Sequence, residues 1–219
     1  MKIAIISQAR VTSKRFPNKN LIKIKDRTLL EYHIDRLKNS QFPLIIATSN
    51  LDKDRPIVKL CQKLNVNVFT GNHEDVLNRF YRCCQVYNIT SIIRVTADCP
   101  LIDVNLIDKG WKIFNQSKLD YLSNTIYRTY PRGFDFEIFT FEALKKCFIN
   151  SKDREAKEHV TPYIWRHLNK IFKYRQLTNK VNKSNYRLTV DTLNDFKMIK
   201  ILIEKFHAHK KTIKRLLKS

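Results

Sequence analysis

The sequence predicts an α/β protein with a mostly parallel sheet flanked by helices. Short apolar runs alternate with segments of helical periodicity through the first half of the chain. The runs are almost continuously apolar, which is typical of strands covered on both faces and favours parallel βαβ units. The chain has 219 residues, 43% of them hydrophobic, and no linker rich in glycine, serine or proline interrupts it. We therefore expect a single domain over residues 1–219.

Four strands and four helices are predicted in the first half. The strand candidates are residues 2–7, 44–48, 66–69 and 91–96. The helix candidates are residues 28–39, 55–64 and 74–87, followed by a helix that carries Ile107, Trp111 and Phe114. Thr28 and Glu31 have the spacing of a capping box, and Asp103 can cap the fourth helix. From about residue 119 the apolar pattern changes.

The second half is expected to mix antiparallel strands with helices. Runs within 119–124, 134–139, 172–177 and 186–190 resemble strands with longer connections. Helical patterns fall around 140–148, 155–169 and 192–206. The basic C-terminal segment 207–219 has the pattern of an amphipathic helix, for which a solvated face is favoured over a membrane or RNA contact.

The composition indicates a basic protein without a membrane span. Lysine and arginine number 42 against 20 acidic residues, a formal net charge of +22. Because the cations are spread along the chain, they indicate affinity for polyanions or anionic substrates in general. No apolar run reaches the roughly 18 residues of a membrane helix, and the N-terminal run is too short for a signal peptide. The five cysteines show no metal-binding spacing, so we expect buried thiols in a cytoplasmic protein.

Three segments place charged side chains where predicted strands end. The loop after the first strand holds Arg10, Lys14, Arg15 and Lys19 and lacks a glycine-rich phosphate motif, so its side chains would have to bind phosphates. Asp98 follows the strand 91–96, and Asp191 follows the run 186–190. A carboxylate beside a triphosphate needs a bridging divalent cation, which predicts Mg²⁺. A solvated loop, a turn at Asp98 and a helix cap at Asp191 or Thr192 are the alternatives.

An ordered set of motifs resembles one enzyme family. The segments are ARVTSKRFPNK (9–19), GNHEDVLNRF (71–80), RVTADCPLID (94–103), RTYPRGFDFEIF (128–139), EHVTPYI (158–164) and RLTVDT (187–192). Together they resemble the CTP-dependent sugar cytidylyltransferases, which include the acylneuraminate and 3-deoxy-manno-octulosonate (KDO) enzymes. The spore coat polysaccharide biosynthesis protein F branch is the most similar, and the match covers residues 3 to about 200. Asn18 replaces a glycine usual in the family, and asparagine tolerates the left-handed backbone that the glycine would adopt.

The resemblance implies a Rossmann-like fold of the nucleotide-diphospho-sugar transferase type. It implies that a sugar hydroxyl is joined to the α-phosphate of CTP with release of pyrophosphate, for surface polysaccharide synthesis. Residues 1–118 would bind nucleotide, and residues 119–219 would bind the acceptor and form the interface of a homodimer. Asp98 and Asp191 would hold Mg²⁺, and Arg10, Lys19 and Asp98 would be catalytic.

The resemblance also implies two sets of binding residues. For the nucleotide they are Ala9, Arg10, Ser13, Arg15, Lys19, Thr48, Gly71, Arg79, Thr96 and Ala97. For the acceptor they are Arg132, Asp135, Glu137, His159 and Arg187. Asp135 and Glu137 are expected on one face of a strand, because side chains two residues apart share a face.

Alternative functions differ in how well they fit these motifs. A related nucleotidyltransferase with another nucleoside triphosphate or a non-sugar acceptor would keep all these motifs. A nucleic-acid-binding protein would cluster aromatic and basic side chains on one sheet face, whereas these cations surround strand ends that carry aspartates. Nucleic acid is therefore not the expected partner. A glycosyltransferase should show a D-x-D motif after a central strand, and TADCP (96–100) does not supply it.

Overall fold

The computed structural model describes residues 2–13 and 15–216, so Lys14 and the end of the basic C-terminal segment lie outside the described residues. Its strands are β1 (Ile3–Gln8), β2 (Lys23–Ile24), β3 (Arg27–Thr28), β4 (Leu44–Ser49), β5 (Asn67–Gly71), β6 (Ser91–Thr96), β7 (Tyr121–Ser123), β8 (Glu137–Thr140) and β9 (Tyr174–Gln176). Its helices are α1 (Leu29–Lys38), α2 (Arg55–Lys63), α3 (Val76–Tyr87), α4 (Val104–Gln116), α5 (Phe141–Asn150), α6 (Arg154–His159), α7 (Pro162–Arg166), α8 (Leu193–Phe206) and α9 (Ile213–Leu216).

One sheet organises the molecule. Its order is β5-β4-β1-β6-β8-β7-β9, while β2 and β3 form a separate two-stranded ribbon. The four strands predicted in the first half are confirmed, and all three pairings among them are parallel. Because β1 and β6 run in register from Ile3–Ser91 to Gln8–Thr96, the loops that follow them leave the sheet side by side. Ligands of open parallel sheets bind at this edge.

The second half closes the sheet with mixed strands, as expected. β8 pairs antiparallel with both β6 and β7, and β9 pairs parallel with β7. The strand predicted at 134–139 is confirmed only from Glu137, so Asp135 precedes it.

Two predictions in the second half are wrong. The single helix expected at 155–169 is divided into α6 and α7 at Val160, whose φ is 71°, and Pro162 starts the second helix. Residues 186–190 form no ladder strand and share only an isolated bridge between Arg187 and Arg132. Their backbone instead packs against Gly133, where a β-carbon would lie 2.4 Å from the Leu188 carbonyl.

The apolar side chains form two clusters, one on each face of the sheet. Along β1, Ile5 belongs to one cluster and Ala4 and Ile6 to the other, which explains why the strand is apolar at successive positions. The five cysteines are buried free thiols, as predicted. Within residues 2–13 and 15–216, no helix has the length and apolar character needed to cross a bilayer.

Candidate active site

A two-lobed cleft lies at the carboxyl ends of β1 and β6. We call the first part the basic lobe: it has a volume of about 470 Å³ and is lined by Gln8, Ala9, Arg10, Ser13, Arg15, Lys19, Asn20, Val76, Arg79, Arg94, Thr96, Ala97, Asp98, Glu158, His159 and Asp191. We call the second the Trp165 lobe: it has a volume of about 530 Å³ and is lined by Arg94, Val95, Thr96, Thr125, Ile126, Arg128, Asp135, Phe136, Glu137, Trp165 and Leu168. Arg94 and Thr96 line both lobes, so the two are adjacent.

The loop after β1 is held in place by backbone hydrogen bonds. The Val11 N–H donates to Asp54 Oδ1 at 2.7 Å, and the Asn18 N–H donates to the Val11 carbonyl at 3.0 Å. Asn18 has φ 59° and ψ 10°, so the left-handed turn predicted for it is confirmed. The turn directs the chain into the short helical turn that begins at Lys19.

Lys19 lies between the two aspartates that the sequence singled out. Its Nζ donates to Asp98 Oδ2 at 3.1 Å, to Asp191 Oδ1 at 2.9 Å and to the Val190 carbonyl at 2.9 Å. Burial alone would lower the pKa of Lys19, but the two carboxylates outweigh burial and raise the pKa above its usual 10.5. Burial likewise opposes ionisation of Asp191, yet Lys19 and Arg15 lower its pKa below the usual 3.8. Lys19 and Asp191 are therefore both charged at neutral pH.

The segment before α8 positions both aspartates. The Thr189 hydroxyl and the Val190 N–H donate to the Asp98 carbonyl at 3.0 and 2.8 Å. The Asp191 N–H donates to Asp195 Oδ2 at 2.9 Å, and Asp195 is also part of the capping box of α8. The start of α8 therefore fixes the backbone at Asp191 and, through it, the spacing between the carboxylates.

The carboxylates of Asp98 and Asp191 have the chemistry to bind a divalent cation. Both are hard oxygen donors and both are within 3.1 Å of one ammonium group, so they converge on a common point. Over the described part of the chain, no group of three or more His, Cys, Asp or Glu side chains could hold a metal by itself. Mg²⁺ is commonly bound by one or two carboxylates together with substrate phosphates, and this donor pair fits that pattern.

Cationic side chains surround the rest of the basic lobe. Arg10 forms an ion pair with Glu158 at 3.1 Å, and Arg15 reaches Asp191 at 3.1 Å. Arg79 is only 1% exposed, and its Nη1 donates to the Asn72 carbonyl at 3.0 Å while its Nε has no partner among the described residues. Burial lowers the pKa of Arg79 to about 10, so it stays charged at neutral pH. Arg79 therefore places a buried positive charge in the wall of the basic lobe.

A buried hydrogen-bond network forms the wall of the Trp165 lobe. Arg94 donates from Nη1 to Glu137 and from Nη2 to Gln8 Oε1 at 3.0 Å. Glu137 Oε1 accepts from the Tyr121 hydroxyl at 2.6 Å and from Thr161 at 2.7 Å. These contacts leave the polar groups of the wall paired, as buried polar groups must be.

The structure brings most of the predicted binding residues to the cleft. In the basic lobe it places Ala9, Arg10, Ser13, Arg15, Lys19, Arg79, Thr96, Ala97, Asp98 and Asp191, and in the Trp165 lobe Asp135 and Glu137. Asp135 forms an ion pair there with Arg128. His159, predicted at the acceptor site, lies in the basic lobe instead.

Four predicted residues do not line the cleft. Thr48 is fully buried within β4, and Gly71 ends β5, where a β-carbon would lie 3.0 Å from Arg79 Cγ. Gly71 therefore permits the close packing of Arg79. Arg132 is exposed, and Arg187, which lines neither lobe, forms ion pairs with Asp191 and Asp195.

Sequence reasoning missed Gln8, Arg94, Glu158 and Trp165 as parts of the cleft. Arg94 had a usable signal, because an arginine inside the apolar strand SIIRVT must find a buried partner. No sequence signal marked Trp165 as a cleft residue, since a tryptophan in a helical segment usually indicates core packing. Its place in the cleft follows from the break between α6 and α7.

Comparison with known proteins agrees with this geometry. The sequence model of a family described as cytidylyltransferase matches residues 3–217. The chain belongs to the cytidylyltransferase family. The resemblance drawn from the motifs is confirmed, and a cytidylyltransferase is an enzyme of the nucleotidyltransferase class.

Relatives and solved structures of cytidylyltransferases support the assignment. Spore coat polysaccharide biosynthesis protein SpsF of Bacillus subtilis is 32% identical over 213 residues, covering 93% of this chain and 87% of that protein. A cytidylyltransferase from Leptospira borgpetersenii has a TM-score of 0.94 at 33% identity, covering all of this chain and 93% of its own. CMP:2-keto-3-deoxy-manno-octonic acid synthetase in complex with CTP has a TM-score of 0.73 at 14% identity, covering 94% of this chain and 100% of its own. This last likeness confirms the fold type.

Proposed function

We propose that this cytidylyltransferase transfers CMP from CTP to a hydroxyl group of a sugar-type acceptor and releases pyrophosphate. The observation that carries the proposal is the cluster of Lys19, Asp98 and Asp191 at the carboxyl ends of β1 and β6. It combines cation and carboxylate where an open parallel sheet binds its ligands. The family assignment supplies the nucleotide class, and the adjacent Trp165 lobe supplies room for an acceptor.

The basic lobe has the charge that a triphosphate requires. Arg10, Arg15, Lys19 and Arg79 would neutralise phosphate oxygens, and charge neutralisation and positioning are the main protein contributions to phosphoryl-type transfer. Asp98 and Asp191 would hold Mg²⁺, which would supply Lewis-acid stabilisation of the phosphates. We place the reacting atoms near Arg94 and Thr96, because these residues line both lobes.

The named relatives support a role in surface polysaccharide synthesis. SpsF of Bacillus subtilis is described as a spore coat polysaccharide biosynthesis protein, and the similar KDO enzyme was solved with CTP. We infer that this chain also uses CTP, because of its family and because cationic side chains line its basic lobe. A homodimer formed through residues 119–219 is part of the same proposal, and light scattering of the purified protein tests it.

Thermal unfolding with each nucleoside triphosphate tests the nucleotide and the metal together. CTP with Mg²⁺ should stabilise the protein most, by about 2.7 kcal/mol at 100 times the dissociation constant. Asp98→Asn should remove most of this stabilisation, whereas Asp26→Asn, at an exposed turn, should retain it. A larger effect of UTP, ATP or GTP would overturn the named nucleotide. Equal stabilisation of Asp98→Asn and the unchanged protein would overturn the role of Asp98.

A further inference from the structure

A buried histidine is hydrogen-bonded to the turn that carries Asp98. His33, on α1, is fully buried, and its Nδ1 lies 2.9 Å from the Cys99 carbonyl oxygen. Its Nε2 lies 2.8 Å from the hydroxyl of Ser7 on β1, which is also fully buried. This chain of hydrogen bonds therefore joins α1, β1 and the turn after β6 inside the core.

The partners of His33 determine where its proton lies. A carbonyl oxygen can only accept a hydrogen bond, so Nδ1 carries the hydrogen and donates to Cys99. Nε2 then accepts from the Ser7 hydroxyl. Burial lowers the pKa of His33 to about 4, so the ring is neutral at neutral pH and this single arrangement satisfies both nitrogens.

The peptide group that accepts the bond from His33 has no donor of its own. Pro100 follows Cys99, and proline has no backbone N–H, so the group between them can be held only through its carbonyl oxygen. That oxygen accepts from His33 and, at 3.3 Å, from the N–H of Ile102 in the same loop. The bond from His33 therefore ties this peptide group to a separate element, α1.

The contacts of Asp98 itself come from other parts of the chain. Its carbonyl accepts from the segment before α8, and its Oδ1 accepts from the Thr96 hydroxyl at 2.5 Å. Its Oδ2 accepts from Lys19 Nζ at 3.1 Å. The position of the carboxylate therefore depends on a turn that is held from two elements, α1 on one side and the segment before α8 on the other.

Stability alone does not require a polar pair at His33 and Ser7. Replacing both partners of a buried hydrogen bond with apolar side chains of similar shape can be nearly neutral for stability. A buried and satisfied network instead favours one geometry, because a displacement leaves polar groups unpaired at low dielectric. The feature that this network fixes is the turn of Asp98.

We propose that His33 is a positioning residue for Mg²⁺ binding: its bond to the Cys99 carbonyl holds Asp98 where the carboxylate can bind the metal together with the phosphates of CTP. His33 lines neither lobe, so it acts through the turn. This inference rests on the proposed function and adds a supporting residue to the same site. Removing a group that holds a metal ligand in place typically costs about 10- to 100-fold in metal affinity or activity.

Two amide variants separate the two bonds of His33. The side-chain nitrogen of asparagine reaches about as far as Nδ1, so His33→Asn can still donate to Cys99. The amide of glutamine reaches about as far as Nε2, so His33→Gln can pair with Ser7 and leaves the Cys99 bond unmade. Both variants place an amide at the same buried position, so the pair is matched in polarity.

The readout is the stabilisation of each protein by CTP as Mg²⁺ is titrated, measured by thermal unfolding. His33→Gln should raise the Mg²⁺ concentration for half-maximal stabilisation about tenfold or more, whereas His33→Asn should stay within about threefold of the unchanged protein. Equal Mg²⁺ requirements in the two variants would overturn the proposal.

Ser7→Ala controls for a general loss of stability. It removes the other bond of the ring and leaves the Cys99 bond in place, so it should lower the urea midpoint while the Mg²⁺ requirement stays within about twofold. A rise of about tenfold in Ser7→Ala would show that the Mg²⁺ requirement follows stability, and it would overturn the role of His33.

The CTP response of the unchanged protein is measured first, so that two failures can be distinguished. Absence of any Mg²⁺-dependent response to CTP would contradict the proposed function and the role of His33 with it. A normal response in both the unchanged protein and His33→Gln would contradict the role of His33 alone.

Discussion

At the scale of single residues, the site depends on one lysine that holds two carboxylates. Lys19 is 8% exposed and bonds Asp98 and Asp191, which are 79 and 172 residues away in sequence. The ammonium group offsets part of the negative charge of both carboxylates before any ligand enters. It also places a fixed cation beside the phosphates of a bound nucleotide, so the same side chain serves stability and binding.

Replacing this ammonium group should therefore impair both properties. We expect Lys19→Met to lower the free energy of unfolding by about 1–3 kcal/mol, because two carboxylates lose the charged donor that they share. We expect kcat/KM for CTP to fall about 100-fold, the effect of removing one donor from a transition-state charge. Urea unfolding and a pyrophosphate-release assay measure the two effects.

The exposed Lys23 provides a matched control for Lys19. Lys23→Met removes the same charge four residues away and should change neither measurement. If Lys19→Met kept its stability and its kcat/KM, the cluster would have no role in either property.

Much of the site was readable from the sequence because its charged residues follow predicted strands. Parallel strands end at one edge, so Arg10 and Asp98 were expected to meet there, and they do. Lys19 as the partner of both aspartates was not predicted, since that contact depends on the turn at Asn18 and on long-range packing. Trp165 was missed because its position follows from a helix break that periodicity does not reveal.

At the scale of elements, the start of α8 connects helix stability to the geometry of the site. Thr192 and Asp195 form its capping box, and Asp195 also accepts the N–H of Asp191. Arg187 donates to Asp191 at 3.0 Å and to Asp195 at 2.7 Å, which ties the carboxylates together. Loss of the cap should therefore move Asp191.

The capping boxes of α1 and α8 allow this coupling to be tested. Thr192→Ala should cost about 1 kcal/mol of stability, the usual value of an N-cap. It should also lower kcat/KM about tenfold, because a small misplacement of a charged group near the chemistry is costly. Thr28→Ala removes the capping box of α1, which lies outside the cleft, and should lower stability without lowering kcat/KM. Equal kinetic effects of the two variants would contradict the coupling.

The elements themselves were predictable where local and tertiary signals agree. The capping box of α1, the left-handed Asn18 and the parallel strands of the first half all follow from side-chain pattern and local chemistry. The run at 186–190 has strand-like composition, but its backbone partner is the loop at Gly133, whose φ of 105° lets the two segments approach. Contacts between distant segments determine the conformation of residues 186–190, and a single sequence does not show such contacts.

At the scale of the whole molecule, the net charge of +22 is unevenly distributed between the two lobes of the cleft. Cations exceed carboxylates among the residues lining the basic lobe, while the Trp165 lobe is balanced. A positive molecule attracts polyanions, a basic cleft adds to that attraction, and such steering weakens as salt shortens the range of electrostatic interactions. The charge should therefore act more strongly on the nucleotide than on the acceptor.

Salt should consequently separate the two substrates in steady-state kinetics. Between 0.1 and 1 M KCl the Debye length falls from about 10 Å to about 3 Å, so we expect the KM for CTP to rise several-fold. The KM for the acceptor, measured at saturating CTP, should rise less, because cations and carboxylates are equal in number among the residues that line the Trp165 lobe. The acceptor is the internal control, since any general effect of salt on the enzyme would move both constants. A parallel rise of both would show that the charge asymmetry between the lobes does not govern binding.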